Sequence, residues 1–214
     1  MAEVTINNSP VHSDTIITAL YGETGHSWSG IHTGADFAPY GSTPARPDLY
    51  SVCSGVVVNV IAYNPVIDQA LGNQIVIQDS NTGYYWRYCH MTNPSPLAIG
   101  DNVTTGSIVG KMGDTGNAFG VHLHLEYSSV SYWDTTRTKF FNPLTELGIP
   151  NQRGTIVHYN GTTPPEPPTP TGSGKKNKFP WVLYANKLRR RNIRKWKEIQ
   201  VNIAILLWLL AKFR

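Results

Sequence analysis

Between residues 55 and 129 the apolar residues come in short runs, none longer than nine, bounded by Gly, Asn, Ser and Thr. Runs of that length are strands rather than helices, and a chain built from them folds by pairing segments across turns. The runs are GVVVNVIAY (55–63), NQIVIQDS (73–80), YYWRYCHM (84–91), GSIVGKMG (106–113) and VHLHLEYSS (121–129). The NTG between the second and third is a hairpin signal. The expectation is an all-β domain over residues 1–160, organised as a compact antiparallel sheet or sandwich. A domain of that size buries roughly 68–70% of its unfolded surface, enough for an enzyme core.

Charge divides the chain as sharply as pattern does. Residues 1–170 carry six Lys/Arg against thirteen Asp/Glu, a net of −7, whereas residues 171–214 carry twelve against one, a net of +11. The stretch 161–178, which contains TTPPEPPTPTGSGKKNK, is a Pro-rich and then Gly/Ser-rich linker by composition. Beyond it, residues 179–214 run from NKLRRRNIRKWKEIQ into VNIAILLWLLAKFR, a basic and then apolar tail of helical character. Its apolar part, Ile199–Ala211, is about 20 Å long as a helix, short of a hydrocarbon core of roughly 30 Å. Two cysteines, Cys53 and Cys89, are too few for a disulfide framework and read as small buried strand residues. The first residues, MAEVTINNSPVHSD, lack the basic patch and apolar core of a Sec-type signal, so another route to any extracellular substrate is expected.

Chemistry concentrates in four of the seven histidines. In GVHLHLE, period-2 alternation turns His122, His124 and Glu126 to one face and Val121, Leu123 and Leu125 to the other. In GIHTGADFAP, His32 and Asp36 flank Gly34 on what reads as a loop entering a strand, with Gly34 permitting a sharp path. Imidazole and carboxylate both suit zinc, and a third ligand, His124 or His122, would leave the open position that a catalytic zinc keeps for water. Alternation along YYWRYCHM puts Tyr84, Trp86, Tyr88 and His90 on one face, and Tyr85, Arg87 and Cys89 on the other. His12, His26 and His158 have no such setting and read as solvated.

Taken in order, HTGADFA, then YCHM behind its aromatics, then GDNVTTGSIVGKMGDTGNAFGVHLHLE resembles the lysostaphin-type zinc endopeptidases of bacterial cell-wall turnover, a LytM-like family also found in bacteriophages. The resemblance runs from about Tyr21 to Tyr127. It implies an antiparallel β fold with a groove, one Zn²⁺ per chain, and hydrolysis of peptide bonds in peptidoglycan stems or cross-bridges. Carried over by position, it makes His32, Asp36 and His124 the metal ligands and His90 and His122 the catalytic pair. Val121 stands where the family often has proline, which bears on groove shape and not on a ligand. Tyr88 is a candidate second donor to the oxyanion or a packed wall residue, while Asn117 and Glu126 read as a turn residue and a structural partner.

The competing reading is a catalytically silent wall-binding or tail-tip structural module of the same fold, without metal; a zinc amidase is the enzymatic rival. For the tail, an anionic membrane surface and other virion proteins are the expected partners, through Trp196, Trp208 and the leucines. Nucleic acid ranks last because the basic run ends in an apolar segment. The implied setting is a bacteriophage virion, at its tail, or the host cell wall.

Overall fold

The structure is a computed structural model that describes residues 2–25, 30–67 and 70–161. The tail, all but the first residue of the linker, and His26 lie outside the described residues. Twelve strands, one α-helical turn and one 3-10 turn (Pro65–Ile67) occur among them: β1 (Glu3–Ile6), β2 (Thr15–Ala19), β3 (Gly34–Pro39), β4 (Asp48–Tyr50), β5 (Gly55–Ile61), β6 (Asn73–Asp79), β7 (Tyr85–Met91), β8 (Asn102–Val103), β9 (Ile108–Lys111), β10 (Leu123–Ser128), β11 (Phe140–Phe141), α1 (Pro143–Glu146) and β12 (Ile156–Tyr159). The fold is all-β, and each of the five apolar runs holds a strand.

The main sheet runs β1-β12-β2-β3-β10-β7-β6-β5-β8, with β11 on β10; β4 and β9 form a separate pair. Every pairing in it is antiparallel except β1 with β12. The NTG hairpin forms between β6 and β7, with Gly83 at φ 74° in the turn, a conformation that glycine adopts without steric cost.

Alternation sorts the central strands into a dry face and a functional one. Ala35 and Phe37 from β3, Leu123 and Leu125 from β10, Trp86 and Tyr88 from β7, and Ile75 and Ile77 from β6 are buried in one core. Leu49 of β4 and Val109 of β9 join that core, so the small sheet forms a second layer. Cys53 and Cys89 are buried and unbridged, as expected of small apolar residues.

Two histidines read as solvated are engaged instead. The His12 ring stacks between Tyr50 and Tyr159, with centroids 3.5 and 3.9 Å away. His158 Nδ1 lies 2.9 Å from Asp14 Oδ1. Tyr50 and Tyr159 are remote in sequence from His12, and Asp14 is remote from His158, so local composition carries no trace of these contacts.

Candidate active site

The site arises from register. On the face opposite the core, Asp36 of β3 lies directly across from His124 of β10, and Gly34 across from Glu126. On the other side of β10, Glu126 is across from Arg87 of β7. Cross-strand neighbours lie roughly 4.5–5.5 Å apart at Cβ, so this pairing alone brings an imidazole and a carboxylate into reach. Gly34 is needed for closeness, not for a sharp turn: a Cβ there would meet the Leu125 carbonyl and sit 2.9 Å from His124 Cε1. His32, just ahead of β3, completes the cluster.

The three donor atoms face one another. His32 Nε2 is 2.9 Å from His124 Nδ1 and 3.2 Å from Asp36 Oδ1, and His124 Nδ1 is 2.9 Å from Asp36 Oδ1. Outer partners orient both rings: His32 Nδ1–H donates to Leu20 O at 2.9 Å, and His124 Nε2–H donates to Glu126 Oε1 at 3.2 Å. Each ring therefore directs its other nitrogen inward as a lone pair. Two imidazole lone pairs and a carboxylate oxygen at such spacing repel unless a positive charge sits among them. Their separations approach the edge of about 3.3 Å in a tetrahedron with metal–ligand bonds of roughly 2.0–2.1 Å.

Titration expresses the same demand for positive charge. Burial would raise the Asp36 carboxyl, but hydrogen bonds from His124 and His32, which form when the inward nitrogens take up protons, outweigh it and hold the group well below the ordinary carboxylate range. Burial likewise opposes a charged His124, yet Asp36 and Glu126 hold its conjugate acid up to about 9. Among the described residues, His32, Asp36 and His124 form a group that could hold a metal ion, and all three are buried. The donor set fits zinc.

His90 and His122 stand beside this cluster with their ring centroids 4.8 Å apart. His90 Nδ1–H donates to Thr115 O at 2.8 Å, and His122 Nδ1–H to Gly120 O at 2.9 Å. Both rings are thereby fixed in the tautomer whose Nε2 can accept a proton. His122 Nε2 lies 3.8 Å from Asp36 Oδ2, facing the metal ligands.

His90 reaches this position through a bulge. Between Asn73 and Ile75, β6 advances two residues while β7 advances three, from Tyr88 to Met91, and His90 takes φ 58°. The extra residue breaks the alternation, so His90 leaves the face of Tyr88 and joins that of Arg87. Tyr88 is consequently no oxyanion donor: it is fully buried in the core, and its hydroxyl accepts from Val52 N at 2.9 Å. Beneath the bulge, His90 N donates to Leu71 O, Asn117 N to Ala70 O, and Thr115 Oγ1 to Met91 O. These bonds tie the 113–117 segment against β6 and β7, which is how Thr115 O comes to meet the His90 ring.

All five candidate residues line one groove of about 870 Å³, with Arg87, Phe119, Trp133 and Arg137 among its other walls. The sequence profile of peptidase family M23 matches residues 30–137, a segment that contains every one of them.

The chain belongs to peptidase family M23. That family is zinc-dependent, in keeping with the donor set. Lysostaphin of Staphylococcus staphylolyticus is 29% identical over 151 residues, which are 70% of this chain and 27% of lysostaphin. Peptidoglycan DD-endopeptidase ShyA of Vibrio cholerae is 38% identical over 95 residues, 44% of this chain and 20% of that protein. The chain thus spans about a quarter of the length of these curated relatives. The catalytic domain of lysostaphin from Staphylococcus simulans has the same fold, with a TM-score of 0.53 at 24% identity, covering 63% of this chain and 92% of that domain.

Around the five polar residues the M23 domain adds an outer set that local sequence marks only in part. Glu126 is fully buried; its Oε1 accepts from Thr33 Oγ1 at 2.6 Å and its Oε2 faces Arg87 Nε at 3.0 Å. Its place on the His124 face follows from alternation, and its role as a structural partner holds. The contribution of Arg87 depends on register between β7 and β10, which no single segment encodes.

Proposed function

We propose that this chain is a zinc-dependent endopeptidase that hydrolyses peptide bonds in peptidoglycan stem peptides or cross-bridges. The observation that carries the reading is the pairing of two devices in one groove: three inward lone pairs, and two histidines whose Nδ1–H groups are held by backbone carbonyls. His32, Asp36 and His124 would hold the zinc. When bound, zinc lowers the pKa of a coordinated water and polarises a scissile carbonyl. His90 and His122 provide the proton traffic: with Nε2 unprotonated, either accepts a proton from the attacking water, and the imidazolium so formed protonates the departing amine. The other ring stabilises charge on the carbonyl oxygen when it carries a proton at Nε2, donating that N–H to the oxygen. The name borne by the ShyA relative, a peptidoglycan DD-endopeptidase, supports a wall peptide as substrate.

The placement proposed for the protein is a bacteriophage particle or the host wall. Its support is compositional: the basic and then apolar stretch after the linker suits an anionic membrane surface or neighbouring virion subunits, with the domain boundaries near 160 and 178. Detection in purified particles tests the virion placement, and absence from them removes it.

The activity is tested with the full chain by metal analysis, turbidity of wall suspensions with and without chelator, and mass spectrometry of the fragments. The expected result is one zinc per chain, chelator-sensitive lysis, and new amino termini within the peptide. Zinc-free protein with full activity overturns the reading. Fragments released only at the sugar–peptide amide replace it with an amidase.

A further inference from the structure

The groove has two arginines with different surroundings. Arg87 lies on its floor, faces Glu126 Oε2 at 3.0 Å, and donates to Gln74 Oε1 at 2.8 Å and Ser131 O at 3.2 Å. Its charge is balanced by Glu126, and its Nη1 and Nη2 groups are engaged. Arg137 lines the same groove, and its guanidinium donates from Nη1 to Ile31 O at 2.8 Å; no carboxylate of the described residues pairs with it.

The acid nearest Arg137 in sequence is already occupied. Asp134 accepts from Thr136 Oγ1 at 2.8 Å, Thr138 N at 3.0 Å, and Thr136 N and Lys139 N at 3.2 Å. These bonds gather the 134–139 loop around the Asp134 carboxylate and hold Arg137 at φ 59°, a left-handed backbone unusual for a long side chain. Beneath the guanidinium lies Gly30, where a Cβ would collide with it. Ile31, its anchor, directly precedes the metal ligand His32, one Cα step of about 3.8 Å away. Trp133, Tyr132 and Phe119 on the groove walls are 39, 63 and 81% exposed, large apolar surfaces beside a cation with its remaining donors available.

We propose that Arg137 is the carboxylate-binding element of the substrate groove, and that the preferred substrate is a wall peptide with a free carboxylate one to three residues from the scissile bond. A guanidinium presents donors in a planar fork that matches a carboxylate, and apolar walls strengthen the pairing by excluding water. Neutral glycine bridges offer no such group, so acidic stem peptides are the class selected. The inference rests on the proposed peptidase function and deepens it.

The test uses pairs of synthetic wall peptides identical except that one carries a free side-chain or terminal carboxylate and the other its carboxamide. Wild-type protein is expected to favour the acid roughly ten- to a hundredfold in kcat/KM, chiefly through KM, the range set by hydrogen bonds to charged groups. In Arg137→Gln that ratio falls to near one, and in Arg137→Lys it takes an intermediate value. Equal rates on both peptides in the wild type, or a preference that survives in Arg137→Gln, overturn the proposal. So does an Arg137→Gln variant that loses zinc or melts early while keeping its acid-to-amide ratio, because Arg137 is then only a brace for Ile31. If zinc-loaded wild type cleaves neither peptide, the peptidase reading of these substrates fails. Calorimetric binding of the same pair then decides: a carboxylate preference lost in Arg137→Gln sustains the subsite, and equal affinities remove it.

Discussion

Gly34→Ala probes the register that builds the metal cluster without touching a ligand. The added Cβ would lie 2.9 Å from both the Leu125 carbonyl carbon and His124 Cε1, and closer still to the Leu125 oxygen. Carbon–carbon contact needs about 3.5 Å, so β3 and β10 must part by at least about 0.6 Å where Gly34 opposes Glu126, two residues from the Asp36–His124 pair. Overpacking of this kind costs about 1–3 kcal/mol, a fall of a few to about 10 °C in Tm for a domain of this size. Displaced ligands and a stretched His124–Glu126 bond should weaken zinc binding about ten- to a hundredfold, as loss of outer-sphere support does. Thermal unfolding and chelator competition measure the two effects. Gly83→Ala is the control: its Cβ meets nothing within 4 Å, but its φ of 74° makes alanine strained, at about 1–2 kcal/mol. It should lower Tm and leave zinc affinity alone. Wild-type zinc affinity in Gly34→Ala, or equal weakening in Gly83→Ala, would refute the claim that close β3–β10 approach assembles the site.

Three further outcomes are expected. His32→Ala and His124→Ala each lose bound zinc and wall cleavage, whereas His90→Ala retains zinc and loses turnover; metal content alongside fragment release checks this, and full activity in His124→Ala removes the ligand assignment. His90 is pushed down to about 4 by burial and by the neighbouring His124 and His122 rings, so it stays neutral where an ordinary histidine protonates. A depressed histidine loses its proton-accepting form only as pH falls through the lower value, and native stability declines over the same descent from about 6.5, because the unfolded chain takes up the proton first. An NMR titration placing His90 at or above 6.5 contradicts this. Burial pushes the Cys53 thiol up to about 12, and burial also raises Cys89 well above its ordinary range. Neither should react with a thiol reagent at pH 8 until the domain unfolds, since the thiolate is the reactive species; native labelling within minutes would contradict the buried placement.

What local pattern could reveal and what it could not divide along one physical line. Period-2 alternation is a property of a single strand, so GVHLHLE discloses by itself that His124 and Glu126 share a face and that Leu123 and Leu125 enter the core. Short runs between turn residues likewise disclose the strands and the NTG hairpin. The resemblance supplied the pairing of His32 and Asp36 with His124, and register then accounts for it, because Asp36 is opposite His124 while His32 precedes the strand. Partners that arise only from register or from loops, such as Arg87 for Glu126, Thr115 O for His90 and Leu20 O for His32, have no local signature.

His90 is the instructive failure, because there the local rule was applicable and gave the wrong face. Alternation holds only while both strands advance residue for residue, and the bulge inserts one residue in β7 between Tyr88 and Met91. Had β7 kept its period, His90 would have followed Tyr88 into the core, where an imidazole needs a partner for each nitrogen. The left-handed φ of 58° at His90 is the local cost of reversing that direction. It is compensated by the Leu71 O and Thr115 O bonds, which hold the residue at the groove with its Nδ1 satisfied. The irregularity therefore falls at a residue that must leave the core to do chemistry, while Tyr88, two positions earlier, keeps the regular strand and closes the core against Val52.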